Sequence, residues 1–149
     1  MSDTLADPLS KRRLKLWIRL LGLTRAAEGT LREHLRLTHD TTLPRFDVMA
    51  ALWRRRDGLT MGELSRMLLV SNGNATAVVD RLENDGLARR TQDAADRRTY
   101  RVALTDQGLA TFEGWATSHE AEVNRLFARL SEDEIDTLTA ILKRLKDPA

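Results

Sequence analysis

The stretch from Thr60 to Thr105, TMGELSRMLLVSNGNATAVVDRLENDGLARRTQDAADRRTYRVALT, decides the fold. It reads as a short helix, a tight turn, a second helix and an arginine-rich β-hairpin. Thr60 is a good N-cap, because its hydroxyl can accept from an orphan amide of the first turn, and Glu63 three residues on completes a capping box. Leu64, Met67 and Leu68 follow at helical spacing as an apolar face. Ser71 offers a second N-cap, and Ala75, Val78, Val79 and Leu82 form the inward stripe of the next helix. Gly86 stands where that helix needs a left-handed residue to end. Two helices joined by about three residues make a helix-turn-helix, whose second helix fits the DNA major groove.

Leu87 to Gln92 and Thr99 to Thr105 then alternate as strands, with Tyr100, Val102 and Leu104 on one side of the second. Asp93 to Arg98 is a polar loop rich in turn formers. Arg89, Arg90, Arg97, Arg98 and Arg101 make the hairpin cationic against only Asp93 and Asp96. A basic hairpin in isolation is most simply a solvated one. Directly after a helix-turn-helix it is the wing of a winged helix, able to reach phosphates or an adjacent minor groove.

The candidate DNA contacts follow from this placement. Ser71 and the amides beside it can meet phosphate at a helix N-terminus, and Thr60 is a further candidate at the start of the preceding helix. Asn72, Asn74 and Thr76 are short polar side chains able to reach base edges, with Asn suited to adenine and the Thr methyl to thymine. Gly73 lets the backbone approach closely. Arg81 has two readings, a phosphate or guanine contact and a local pair with Asp80 and Glu83. Arg97 and Arg98 are the wing candidates.

These residues resemble the MarR-type winged-helix transcriptional regulators. The family pattern in the recognition helix is met by Ser71, Ala75-Thr76, Val79-Asp80-Arg81-Leu82-Glu83 and Gly86. The wing pattern is met by Asp96-Arg97-Arg98, Val102 and Leu104-Thr105. The sequence departs from the pattern at Ala75, where a larger β-branched residue is usual, and at Ala88, where Val is common; both concern packing. The resemblance extends from about Leu14 to the C-terminus. It implies that Asp96 and Arg98 form a structured pair that shapes the wing, leaving Arg97 as the better minor-groove candidate.

Outside the winged helix the chain reads as helical. Lys11 to about Leu37 carries Leu16, Leu20, Leu23, Ala27, Leu31 and Leu35 as a continuous stripe, broadened by Trp17, Ile18 and Leu21. Pro44 suits the first turn of a second helix with Phe46, Met49, Ala50 and Trp53 inward. Thr105-Asp106 caps a long helix through about Leu130, with Leu109, Phe112, Ala116, Val123 and Leu126 on its buried side. Ser131 and Glu134 make a capping box for a last helix bearing Ile135, Leu138, Ile141, Leu142 and Leu145. The expected fold is mainly α with a small β-hairpin wing. It comprises a helical dimerisation region, 1–43 and 105–149, around a winged helix-turn-helix region, 44–104.

The terminal helices carry more apolar surface than one copy can cover, and a second copy about a two-fold axis is the simplest cover. Paired half-sites about 34–36 Å apart on DNA also call for two recognition helices related by symmetry. The resemblance implies the same, with the first and last helices interlocked as the dimer interface. The expected function is that of a homodimeric regulator, most simply a repressor, on a palindromic operator that it releases on binding a small effector. A helical cap within a monomer is the alternative.

The chain's 149 residues suit one domain, and it contains no cysteine, which excludes disulfides and thiolate metal sites. No signal peptide or apolar run of roughly 18 residues is legible, so the expected setting is the cytoplasm, with no membrane. Net charge is only +2, but its distribution is uneven. Residues 10–36 hold eight basic and two acidic side chains, 45–101 eleven and eight, and 105–149 five and nine. The C-terminal part is therefore expected away from DNA. An enzyme is not expected: no histidine metal motif, Gly-rich phosphate loop or nucleophile elbow occurs, and no cofactor or metal is called for. An architectural DNA binder without ligand control would need more positive charge or wedge residues.

A sensing role rests on the resemblance, which implies small aromatic acids or their coenzyme A thioesters at the junction of the helical and DNA-binding regions. Candidate lining residues are Trp17, Phe46, Met49, Trp53, Phe112 and Trp115, with Arg25 or Arg45 to meet a carboxylate. Each aromatic has an equally simple reading as ordinary core.

Overall fold

The computed structural model describes residues 8–68 and 72–147, and for 72 and 73 the backbone only. The elements run α1 (Pro8–His39), α2 (Leu43–Arg54), β1 (Leu59–Thr60), α3 (Met61–Leu68), α4 (Asn72–Asn84), β2 (Ala88–Gln92), β3 (Tyr100–Leu104), α5 (Asp106–Leu126) and α6 (Glu132–Lys146). The fold is mainly α with a small antiparallel sheet, as expected. The sheet has three strands in the order β1-β3-β2, because Leu59 and Thr60 pair with Val102 and Arg101. The first of these strands has no period of its own in the sequence.

The caps fall where the side chains dictate. The Glu63 amide donates to Thr60 Oγ1 at 3.2 Å and the Thr60 amide to Glu63 Oε1 at 3.5 Å, a capping box that opens α3. Thr42, Thr105 and Ser131 cap α2, α5 and α6, the last with its reciprocal Glu134 bond. Gly86 has φ 77°. Its amide donates to the Glu83 carbonyl and that of Leu87 to the Leu82 carbonyl, the bond pattern of a left-handed glycine cap. α5 stops at Leu126 rather than Leu130, and a hydrogen-bonded turn from Phe127 to Leu130 leads into α6.

The core lies inside the winged helix and under the adjoining ends of α1 and α5. Leu35, Met49, Leu52, Leu59, Leu64, Val79, Leu82 and Val102 are fully enclosed, each large one contributing about 1.5–3 kcal/mol of burial free energy. Ala75 and Ala88, the two small departures from the family pattern, are buried with them. Two residues read as apolar-face or inward sit elsewhere: Met67 is exposed, and Trp53 is a rim residue at 37 % exposure. Tyr100, on the same side of β3 as the buried Val102, is exposed as well. The Arg56 guanidinium lies 5.1 Å over the Trp53 ring, which lets the indole keep one face wet.

The outer helices look different. Along α1, Leu14, Leu16, Trp17 and Ile18 are exposed, and only Leu35 near its C-terminus is buried. α6 buries nothing, and its Ile135, Leu138, Ile141, Leu142 and Leu145 lie open on one face.

Candidate nucleic-acid interface

α4 is held by its buried Ala75, Val79 and Leu82, which turns Asn74, Thr76, Ala77, Asp80 and Arg81 outward. Asn74 and Thr76 are both exposed, but at 100° per residue they stand on opposite flanks of the outward face of α4, and Asn74 also lines the groove against α2. Ser71 lies outside the described residues, and Asn72 and Gly73 open α4 as backbone only. The Thr60 hydroxyl serves as the cap of α3.

The acidic residues around the hairpin are nearly all consumed by the fold. Arg90 pairs with Asp80 at 2.6 Å and Glu83 at 3.1 Å, while its amide donates to Glu83 at 2.9 Å, so this arginine stitches β2 to α4. Arg101 takes Asp93 at 3.7 Å and the Gly58 carbonyl at 3.4 Å. Arg81 pairs with Asp85 at 3.5 Å, rather than with Asp80 and Glu83, which Arg90 already holds.

Asp96 shapes the wing tip through the backbone. Its carboxylate accepts from the Arg98 amide at 3.0 Å and from the Thr99 hydroxyl at 3.1 Å, while the Gln92 side-chain amide donates to the Arg97 carbonyl. The Asp96–Arg98 pairing thus runs through the main chain. Among the described residues no carboxylate lies within ion-pair distance of Arg89, Arg97 or Arg98, all exposed. Three guanidiniums therefore project from the wing with their charge uncompensated.

The eight candidate ligand residues are not brought together within one chain. Phe46, Met49 and Phe112 are core, with Phe46 5.3 Å from Phe112 and 4.2 Å from His119 between ring centroids. Trp53 packs on the edge of Phe112, and Trp115 lies near His39. Trp17 is 57 % exposed and 18 residues before Leu35 on the same helix, roughly 27 Å away along the axis. Arg25 is exposed on α1. Of the eight, only Arg45 lines the open groove that runs between α1, the start of α2 and α4.

A sequence model described as the MarR family matches residues 39–99. A MarR family transcriptional regulator from Silicibacter pomeroyi, known by crystal structure, is 32 % identical, with 93 % of this chain and 96 % of that chain covered at a TM-score of 0.78. The chain belongs to the MarR family. It is also similar to the HTH-type transcriptional regulator MhqR of Bacillus subtilis, 28 % identical over 92 % of this chain and 93 % of that protein. A mutant MarR from E. coli, crystallised with operator DNA, is 27 % identical, covering 93 % and 99 % of the two chains at a TM-score of 0.79. The protein is therefore a DNA-binding transcriptional regulator and not an enzyme. No helix among the described residues is long and apolar enough to cross a membrane.

No local pattern announces that His34 and His39 of α1 gather with His119 of α5 in this MarR chain where the two helices pack. His34 Nε2 is 2.6 Å from Ser118 Oγ, and its Nδ1 is 3.7 Å from Glu122. The His34 and His39 rings are 6.1 Å apart. Burial pushes the His39 and His119 imidazoles below their ordinary value, and the nearby His34 adds to this. A base whose pKa is lowered by folding destabilises the native state when it must take a proton. Its contribution is complete above the unfolded value near 6.5 and is lost as pH falls toward the lower folded value. The urea midpoint is expected to fall between pH 7.5 and pH 5.5, and the double variant His39→Gln/His119→Gln to flatten that dependence. An equally steep fall in the double variant would place the titration elsewhere.

Proposed function

We propose that this regulator acts in the cytoplasm as a homodimer on a two-fold operator, most simply as a repressor, and that a small amphipathic ligand at the junction of its two regions changes its hold on DNA. The observation that carries the DNA reading is the exposure of Asn74 and Thr76 in the first turns of α4, together with a wing tip where Arg97 and Arg98 have no acidic partner among the described residues. In this reading α4 supplies base contacts, and Ser71 with the amides of residues 72 and 73 supplies phosphate contacts at its start. Thr60 sits one element behind, positioning α3.

The homodimer reading rests on α6, a 15-residue helix that buries none of its side chains within one chain. A helix of that length is marginal in water without an apolar partner. The exposed Leu14, Trp17 and Ile18 of α1 offer matching apolar surface on a second copy. Residues 1–43 and 105–149 then form the dimer region, with 44–104 as the DNA-binding region.

Selection of bound DNA from a random pool gives the operator and tests the reading directly. On that operator Asn74→Ala and Thr76→Ala are each expected to cost about 1–3 kcal/mol and to relax base preference. Arg97→Ala is expected instead to weaken binding to all sequences and to reduce the salt slope by about one. Equal losses on operator and random DNA would remove α4 from base reading, and an unchanged salt slope would remove Arg97 from the interface.

A further inference from the structure

The groove between α1, the start of α2 and α4 is built of two adjoining cavities of about 520 and 420 Å³ that share Arg32, Leu43, Pro44, Ala77 and Val78. Each is within the usual size range of small-molecule sites, about 300–1,000 Å³. Its two ends have opposite chemistry. Arg36, Arg45 and Arg81 line one end together with Arg32. Glu33 holds Arg36 at 2.6 Å and Asp85 holds Arg81 at 3.5 Å, whereas Arg32 and Arg45 have no ion-pair partner among the described residues. Thr41 lines the same end. It is only 5 % exposed, and its hydroxyl has no hydrogen-bond partner among the described residues, an arrangement that leaves a buried polar atom unsatisfied at a cost.

The opposite end carries two carboxylates, Glu28 of α1 and Asp47 of α2. Burial, reinforced by the negative charge of Glu28, holds the Asp47 carboxyl above its ordinary range. A cation or strong donor placed there would relieve both effects. Between the ends the walls are formed by the apolar Leu43, Pro44 and Val78, with Arg32 lining both cavities. From Glu28 to Arg36 is eight residues of α1, roughly 12 Å.

We propose that this groove binds a bipolar amphipath, an aryl body with a carboxylate at the Arg32, Arg45 and Thr41 end and an amine at the Glu28 and Asp47 end. The assignment rests on the reading that the regulator answers to a small ligand, and it adds a place and a chemical class. A plain aryl carboxylate satisfies the cationic end alone and leaves the two carboxylates facing each other. α4 forms one wall through Ala77 and Val78, so a ligand here touches the recognition helix on its flank. It alters DNA affinity to the extent that it binds one setting of α4 against α1 better than another.

The test uses three probes of one skeleton with the full-length protein: 3-phenylpropanoate, 4-methylbenzylamine and 3-(4-aminomethylphenyl)propanoate. Affinities are read by calorimetry with and without operator. The bipolar probe is expected to bind at least about tenfold tighter than either single-ended one, and to shift operator affinity. Asp47→Asn should abolish its advantage over 3-phenylpropanoate, and Arg45→Gln or Thr41→Val its advantage over the amine. Melting temperatures check that each variant is folded. Equal binding of the bipolar probe and 3-phenylpropanoate, or no binding by any of the three, overturns the assignment. If instead 3-phenylpropanoate releases operator and none of these substitutions weakens it, ligand control stands and this groove is the wrong place for it.

Discussion

Replacing Gly108 with Ala should destabilise the protein by about 3 kcal/mol and lower its melting temperature by on the order of 10 °C. Gly108 sits in the first turn of α5, and a Cβ there would run into the Leu87 carbonyl oxygen and stand 2.9 Å from its carbon. The obstacle is backbone, with no flexible side chain to swing aside. Leu87 is itself fixed on both sides. Its amide completes the Gly86 cap of α4, and its carbonyl accepts from the Thr105 amide at 3.1 Å. The Thr105 hydroxyl donates to the Gly86 carbonyl at 2.6 Å and accepts from the Gly108 amide at 3.0 Å. One joint therefore ties the end of the recognition helix, the base of the wing and the start of α5. Gly114→Ala provides the internal comparison, because nothing lies within 4 Å of its Cβ position and it occupies the interior of the same helix. There the loss of unfolded-chain freedom should stabilise by roughly 1 kcal/mol. Urea unfolding of the two variants side by side is the measurement. A Gly108→Ala protein as stable as the parent would mean that α5 slides freely on the wing.

The contrast between Gly86 and Gly108 shows which parts of this fold could be read in advance. Gly86 was legible because a helix end is a local event, announced by the stripe that stops before it. Gly108 answers to Leu87, the residue just before β2 and 21 positions earlier in sequence, and no local pattern carries that distance. The same division runs through the other elements. Thr60, Thr105 and Ser131 declared their helices through chemistry within three residues, whereas β1 exists only because β3 offers it an edge. In the candidate DNA-facing surface, the surplus of arginines over acids was visible in the hairpin. Which arginine is available was not, since Arg90 is taken by Asp80 and Glu83 from another element while Arg97 is left open.

The ligand residues were the least legible part, for a physical reason. Phe46, Met49 and Phe112 have the composition of a pocket wall and of a core, and burial of apolar area favours the core whenever the chain can close around them. The groove that stays open is walled by Arg32, Pro44 and Val78, residues with no aromatic signature, and only Arg45 was in both sets. Trp17 was separated from the rest by helix length alone, so any shared site with them would need a second chain.

Leu138→Asp in α6 should break the proposed dimer and with it high-affinity operator binding. Leu138 lies with Ile135, Ile141, Leu142 and Leu145 on one face of a helix whose residues all remain accessible in a single chain. If the second copy covers that face, a carboxylate at its centre is either desolvated or forces the helices apart, and both outcomes are unfavourable. The dimer dissociation constant should rise by about two orders of magnitude, on the order of 3 kcal/mol. Leu142→Asp should act alike, since the two residues are one turn apart. Asp136→Lys is the control, because at 100° per residue it lies nearly opposite the apolar face and changes charge without entering the seam. The core of the winged helix is complete within one chain, so the monomers should keep a cooperative unfolding transition of that part. What they lose is the link between two recognition helices, and each half-site must then be bound alone. Sedimentation should report the monomer, and footprinting should report loss of the paired protection pattern at protein concentrations that saturate the parent. A folded Leu138→Asp monomer that still protects both half-sites would show that α6 serves something other than dimerisation.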